Sequence, residues 1–219
     1  MTISNICDIT PFTLQDFKDT PSCIIWFSGC NMLCRYCHNL DIVFERTKKI
    51  EEEEILDFLK SRIGKLEGVV LCGGEPTLHK NLDLFVKKVK ELGFKIKLDT
   101  NGSSLEVVEK ILPYIDFVAI DFKSDIVQFK NVTQSFLFDK FYETLKYLIE
   151  SNVNLEVRTT YHHKLLDYET LNKMTLMLEQ LRYQNIYYIQ RAIATEDFEE
   201  SHYLDISKIR KRTFEINYR

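Results

Sequence analysis

An α/β fold built on a parallel sheet is the class this sequence predicts, and three observations predict it. Six short apolar runs have strand length, segments of helical period fall between them, and the chain of 219 residues, 45% hydrophobic, can bury a sizeable core. The runs are 23–27 (CIIWF), 69–72 (VVLC), 94–98 (FKIKL), 116–121 (DFVAID), 153–158 (VNLEVR) and 185–189 (NIYYI). Their starts lie 46, 25, 22, 37 and 32 residues apart, room in each gap for a helix, which makes repeated βαβ units.

The helical segments follow in order. Ile55, Leu56, Leu59 and Ile63 form a first apolar stripe; Leu82, Phe85, Val86, Val89 and Leu92 form a second, stopped by Gly93; Leu105, Val108 and Ile111 form a third before Pro113. Phe141, Leu145, Leu148 and Ile149, then Leu171, Met174, Leu178 and Leu181, complete the set. Spacing leaves an open doubly wound sheet and a full or partial barrel both open, and both place functional loops at the carboxyl ends of strands. No linker or repeat divides the chain, so a single domain over 1–219 is expected. Its core runs from about 20 to 190, with an N-terminal extension at 1–19 and a polar, charged tail at 194–219 that wraps the surface or touches a partner.

Composition excludes two partner classes. With 29 Lys and Arg against 33 Asp and Glu, the net charge is -4, without the basic excess of a nucleic-acid binder. No segment approaches the roughly 18 apolar residues of a membrane span, and MTISNICDITPF lacks the features of a secretion signal, so a cytoplasmic protein is expected. In that reducing setting the six cysteines, at 7, 23, 30, 34, 37 and 72, read as metal ligands or buried small hydrophobes rather than disulfides.

Three of them are clustered. GCNMLCRYCHN at 29–39 sets Cys30, Cys34 and Cys37 in the pattern C-x3-C-x2-C directly after the first run, at a strand's carboxyl end. A closed zinc site would recruit His38 as fourth ligand, although adjacent Cys37 and His38 point apart unless the backbone turns sharply. The other reading is a [4Fe–4S] cluster, which normally takes four cysteines; three thiolates leave one iron open to a substrate or cofactor.

Three further stretches close strands. In CGGEPTLH at 72–79, Gly73 and Gly74 let backbone approach a ligand closely, although read without the cysteines the stretch is better explained as a plain strand-to-helix turn. Asp99 and Thr100 of LDTNGS (98–103) read as a helix cap or turn beside Asn101 and Gly102. Asp121 and Lys123 of AIDFKS (119–124) alternate, hence share one side of their strand, and a chance salt bridge is the bland account.

Taken with these three stretches, the C-x3-C-x2-C motif and the aromatic Tyr36 before its last cysteine resemble the radical S-adenosylmethionine superfamily. YCHN, GGEP, DTNG and D-x-K at successive strand ends resemble its glycyl-radical-enzyme activating branch. The resemblance covers about residues 10–190. It implies a partial (β/α)6 TIM-type barrel of parallel strands, open on one side, and a [4Fe–4S] cluster on Cys30, Cys34 and Cys37. The open iron would bind S-adenosylmethionine, which one electron cleaves to methionine and a 5′-deoxyadenosyl radical. Carried over by motif, Gly73, Gly74 and Glu75 bind the methionyl amino end, and Asn39 and Lys123 hold the carboxylate. Asp99, Thr100 and Asp121, with the Ala119 carbonyl, would bind a monovalent cation beside the cofactor. Arg158 of VRTTYHH (157–163) and Gln190 of YYIQR (187–191) contact ribose or adenine, or are ordinary strand-end polar residues. His162 and His163 are expected in a solvated loop, where the family's usual proline-glycine turn is missing.

The N-terminal segment TPFTLQDFKDTPSCIIWFSGCN and the absence of inserted extra clusters look most like the activating proteins of anaerobic ribonucleoside-triphosphate reductase. The implied reaction is hydrogen abstraction from a glycine near the C-terminus of a glycyl radical enzyme, with a flavodoxin or ferredoxin delivering the electron. Activation of pyruvate formate-lyase or another glycyl radical enzyme is one alternative; a small-molecule enzyme of the 7-carboxy-7-deazaguanine synthase type is another.

Overall fold

The computed structural model describes residues 5–195 and 198–219, so the first four residues of the N-terminal extension, and Glu196 and Asp197 of the tail, lie outside the described residues. The chain divides into two compact units: Met1–Asn31 with Asn39–Thr100 and Ser104–Val118, and Met32–His38 with Asn101–Ser103 and Ala119–Arg219.

The first unit holds strands β1 (Ile6–Thr13), β2 (Ser22–Phe27), β3 (Gly68–Gly73) and β4 (Lys95–Thr100), and helices α1 (Leu40–Val43), α2 (Glu52–Arg62), α3 (Leu82–Glu91) and α4 (Leu105–Ile111). Strand β5 (Phe117–Asp121) begins in this unit and ends in the second. The second unit continues with α5 (Phe129–Thr133), α6 (Phe138–Glu150), β6 (Asn154–Tyr161), α7 (Tyr168–Gln180), β7 (Tyr187–Arg191) and β8 (Ile216–Tyr218). Within each unit strand order follows chain order, β1-β2-β3-β4 and β6-β7-β8. Every pairing there is parallel except β1 with β2, which is antiparallel.

All six expected strands are present, as β2 to β7, shifted at their ends by no more than three residues. Two strands lie outside that expectation. β1 pairs along β2 with Ile9 opposite Ile25, and β8 pairs with β7 with Tyr218 opposite Ile189. No helix among the described residues is long and apolar enough to cross a membrane.

Strands buried on both faces read as apolar runs, and β2 shows why. One face, with Phe27, packs edge-on against Phe85 of α3 at 6.2 Å and against the His79 ring at 5.2 Å. Burial pushes that imidazole's pKa down, and its Nδ1 accepts from the Asn5 amide at 3.4 Å. The opposite face gathers Phe17, Ile24 and Val70, with Trp26, Cys72 and Phe117 packed on them. Parallel register aligns Ile24 with Val70 and Val70 with Lys97, so these three form one row across β2, β3 and β4. Helix α3 presents Leu82, Phe85, Val86 and Val89 inward at the 3–4 residue spacing of a buried stripe, and Gly93, at φ +92°, ends it.

Candidate functional site

In the first unit the end of β2 and the end of β3 are laced together by main chain. Gly74 N donates to the Phe27 carbonyl at 2.7 Å, and Glu75 N to the Gly29 carbonyl at 2.9 Å. Gly73 takes φ +128°, and a Cβ there would collide with the Phe27 backbone; a Cβ on Gly74 would collide with the Gly29 carbonyl. The space these glycines leave is therefore filled by the end of β2 at Gly73 and by the start of the cysteine loop at Gly74. A Gly74→Ala change should separate the two strand ends at a cost of about 1–3 kcal/mol, measured by urea unfolding. It should also lower iron uptake, since Cys30 follows Gly29 directly; full stability and full iron content would refute this account.

Glu75 is buried, and its Oε1 accepts from Thr77 N at 3.1 Å, Thr77 Oγ1 at 2.6 Å and Thr100 Oγ1 at 2.8 Å. It thereby caps the 3-10 turn Pro76–Leu78 and ties β3 to β4. Asp99, next to Thr100, lies 2.7 Å from the Lys97 ammonium; their side chains are 8% and 7% exposed. Asn39 precedes α1 without a side-chain capping bond.

In the second unit the loop Met32–His38 is strapped to α5. Leu33 N donates to the Thr133 carbonyl at 2.9 Å, Arg35 N to the Val132 carbonyl at 3.0 Å, and Gln134 Nε2 to the Leu33 carbonyl at 3.0 Å. Cys37 N closes a turn on the Cys34 carbonyl at 2.9 Å. Between them Tyr36 is buried, and its hydroxyl has no hydrogen-bond partner among the described residues, which burial alone does not tolerate cheaply. Burial pushes its phenol pKa up, and Lys123 Nζ sits 5.9 Å from its ring.

Lys123 also reaches Asp121 Oδ2 at 2.9 Å, while Arg158 Nε donates to Asp121 Oδ1 at 2.6 Å. Burial alone would raise the Asp121 pKa; the Arg158 and Lys123 charges override it and hold the carboxyl well below the usual range. Arg158 lies within β6, directed at Asp121, and the side-chain amide of Gln190 of β7 lies 3.1 Å from the Arg219 guanidinium, where only its oxygen can accept from that all-donor group.

The expectation of solvated histidines is corrected. His162 is fully buried, its Nε2 donating to the Glu199 carbonyl at 2.9 Å and its Nδ1 accepting from Lys164 N at 3.2 Å. Phe198 lies edge-on to it at 4.3 Å, with the Arg35 guanidinium 5.6 Å from the Phe198 ring. The His163 ring stacks on His202 at 3.7 Å; burial lowers its pKa, with the His202 and His162 rings adding to the shift. The tail from Phe198 onward thus folds back on this loop, a contact between residues 37 positions apart that local sequence does not announce. Lys97 was also missed, although its alternation with Asp99 on one strand was the available signal.

None of the six cysteines is in a disulfide; Cys7 and Cys23 are buried, whereas Cys30, Cys34, Cys37 and Cys72 are partly exposed. Burial pushes the Cys23 thiol up to about 12, which keeps it protonated, and raises Cys7 as well. Cys30 belongs to the first unit, Cys34 and Cys37 to the second. Among the described residues no group of three or more His, Cys, Asp or Glu side chains is arranged to hold a metal ion. The donor chemistry nevertheless suits an iron–sulfur group: soft, undisulfided, partly exposed thiols, of which Cys34 and Cys37 flank in sequence a buried tyrosine whose hydroxyl lacks a partner among the described residues.

The radical SAM superfamily matches residues 24–181. A Methanocaldococcus jannaschii protein named as a glycyl-radical enzyme activating enzyme is 31% identical over 209 residues, covering 90% of this chain and 82% of that one. A 7-carboxy-7-deazaguanine synthase of Thermococcus kodakarensis is 28% identical over 120 residues, covering 45% of this chain and 47% of the synthase. Streptococcus suis SuiB, solved with its precursor peptide SuiA, superposes with TM-score 0.69 at 15% identity over 89% of this chain and 48% of SuiB. The chain thus spans about half the length of those last two, and the likeness to SuiB is one of fold.

Proposed function

Because the chain belongs to the radical SAM superfamily, we propose that it activates a glycyl radical enzyme, most specifically an anaerobic ribonucleoside-triphosphate reductase, by removing a hydrogen atom from a backbone glycine of that partner. The similarity to the methanogen activating enzyme across 90% of the chain carries the reading, since the synthase likeness extends over only 45%. The order YCHN, GGEP, DTNG and D-x-K at successive strand ends supports it. Activation of pyruvate formate-lyase or another glycyl radical enzyme shares this chemistry and differs only in the partner.

When bound, a [4Fe–4S] cluster and S-adenosylmethionine supply one-electron cleavage of a carbon–sulfur bond and a carbon-centred hydrogen abstractor. Cys30, Cys34 and Cys37 would hold the cluster, with a flavodoxin or ferredoxin as the electron source. Lys123 offers an ammonium, and Asn39 an amide, for the cofactor's carboxylate; the unpartnered Tyr36 hydroxyl offers a further donor. Gly73, Gly74 and Glu75 shape the strand end that would receive the amino group. Arg158 and Gln190 act in this reading by orienting neighbours: Arg158 holds Asp121, and Gln190 holds Arg219. Asp99 faces Lys97, and Asp121 faces Lys123 and Arg158, so each carboxylate of the implied cation site already meets a side-chain cation. A carbon radical attacks most C–H bonds, so the residues around the cofactor must exclude water and hold the glycine close. Six cysteines in no disulfide fit a reducing, cytoplasmic setting.

The test is anaerobic. The protein is reconstituted with iron and sulfide, reduced, and mixed with S-adenosylmethionine and the same organism's anaerobic ribonucleotide reductase, and the electron paramagnetic resonance spectrum is recorded. A stable doublet assigned to glycine on the reductase is expected. Cofactor cleavage without that doublet would move the assignment to another glycyl radical enzyme, and a colourless protein that takes up zinc in place of iron would overturn the reading.

A further inference from the structure

In the second unit the tail meets the loop after β6 through three stacked imidazoles. His162 and His163 have ring centres 4.7 Å apart, and His163 lies 3.7 Å from His202 with the two planes 5° from parallel. Main chain fixes where the His163 proton sits. His202 N donates to His163 Nδ1 at 3.1 Å, so the neutral ring keeps that nitrogen bare and carries its proton on Nε2. We propose that residues 198–202 form a clasp on this loop, closed while His163 is neutral and opened when its Nδ1 takes a second proton.

The closed contact depends on the neutral ring. A proton on His163 Nδ1 would face the His202 N–H, turning the acceptor of that bond into a second donor. The ring is reachable, its side chain being 18% exposed. Among the described residues the titratable and charged groups facing it come from both segments: His202 and Glu199 from the tail, His162 and Lys164 from its own loop. Glu199 Oε1 stands 3.6 Å from His163 Nε2, but the Lys164 ammonium holds the same oxygen at 2.7 Å and offsets its charge. Burial first, then the His202 and His162 rings, outweigh that carboxylate and keep the His163 pKa below its usual value. The closed clasp therefore binds protons more weakly than the open one. Its stability is fully present above the ordinary histidine value near about pH 6.5 and is lost as pH falls below it.

The other fastenings of the clasp do not titrate in this range: Ser201 N donates to the Ala192 carbonyl at 3.1 Å, and His163 N to Ser201 Oγ at 3.1 Å. At its near end Phe198 lies between the His162 ring and the guanidinium of Arg35, which stands in the cysteine loop between Cys34 and Cys37. Opening would carry Phe198 away from Arg35, which keeps its bond to Asn131 Oδ1 at 3.2 Å. Acid would thus uncover one side of the cysteine loop without cutting its main-chain bonds to α5.

The clasp goes beyond the proposed function, and its test needs no cluster, cofactor or partner enzyme, so either can fail without the other. Hydrogen–deuterium exchange of the full chain, corrected for intrinsic rates, is read at about pH 7.5 and about pH 5.5, on either side of the ordinary histidine value. Protection of residues 198–202 should fall by roughly tenfold or more in acid, while that of α6 in the same unit holds. In His163→Asn the side-chain oxygen can still accept from His202 N and takes up no proton in this range, so the fall should disappear. Equal tail protection at the two pH values overturns the proposal. An equal fall across α6 also overturns it, since the whole unit would then be loosening, and so does a folded His163→Asn protein whose tail opens in acid as the parent's does. If His163→Asn does not fold, the imidazole resonances of the parent decide. Titration of His163 below its ordinary value in step with tail exchange supports the clasp, and titration at or above that value, or out of step with the tail, refutes it.

Discussion

A Cys34→Ala protein is expected to fold as the parent does and to lose both its iron and its cleavage of S-adenosylmethionine. The thiol is partly exposed and in no disulfide, and the loop around it is fastened by main chain, Leu33 N to Thr133 and Arg35 N to Val132. Removing one sulfur breaks none of those bonds, so unfolding free energy should stay within about 0.5 kcal/mol of the parent. The chemical effect is much larger. Changing a group behind a metal ligand already costs roughly 10–100-fold in affinity or activity, and removing the ligand itself should exceed that. The contrast is Cys23→Ala: that thiol is buried on β2, held protonated by burial, and unsuited to metal. Its loss should lower stability and leave the iron content unchanged. Iron analysis and cofactor turnover on the two variants, with circular dichroism as the check on folding, separate the roles; full iron in Cys34→Ala would remove that residue from the site.

The second large effect is expected at Asp121. Lys123 and Arg158 both depend on its carboxylate, at 2.9 and 2.6 Å, with the three side chains between 13% and 21% exposed. Asp121→Asn keeps the shape and removes the carboxylate that both cations share, a change worth about 3–5 kcal/mol by analogy with other buried pairs, or ~10 °C in Tm. Adding Lys123→Met should recover part of the loss, since the residues act as a unit. The pH dependence has a definite sign. Asp121 has a depressed folded pKa, so its contribution is fully present above the ordinary aspartate value near 4 and is lost as pH falls through the lower folded value. For Lys123, burial lowers the pKa but Asp121 raises it further, to well above its usual value. Its contribution is therefore present below about pH 10 and lost only at higher pH. The gap between parent and Asp121→Asn should be constant between those limits and shrink in acid. Equal stability at neutral pH would mean that solvent or other groups satisfy both cations.

What could be read along the chain was whatever depends on near neighbours. Six apolar runs of strand length with helical stripes between them identify β2 to β7, because a strand buried on both faces must be apolar throughout. The same holds for C-x3-C-x2-C, GGEP and DTNG: a motif of fixed spacing directly after an apolar run falls at a strand's carboxyl end whatever the rest of the chain does. β1 escaped because Pro11 and its alternating polar residues suit an edge strand, and β8 because three residues make a strand only through pairing with β7. The partners of the charged residues escaped for a related reason. Arg158 meets Asp121 across 37 positions, Gln190 meets Arg219 across 29, and His162 loses its solvent to a tail that returns from Phe198. Local spacing decides at which end of which strand a side chain stands, since backbone geometry repeats every two or 3.6 residues. Which charge, ring or carbonyl then faces it is decided by register and by where distant segments come to rest, and only the folded chain supplies those contacts.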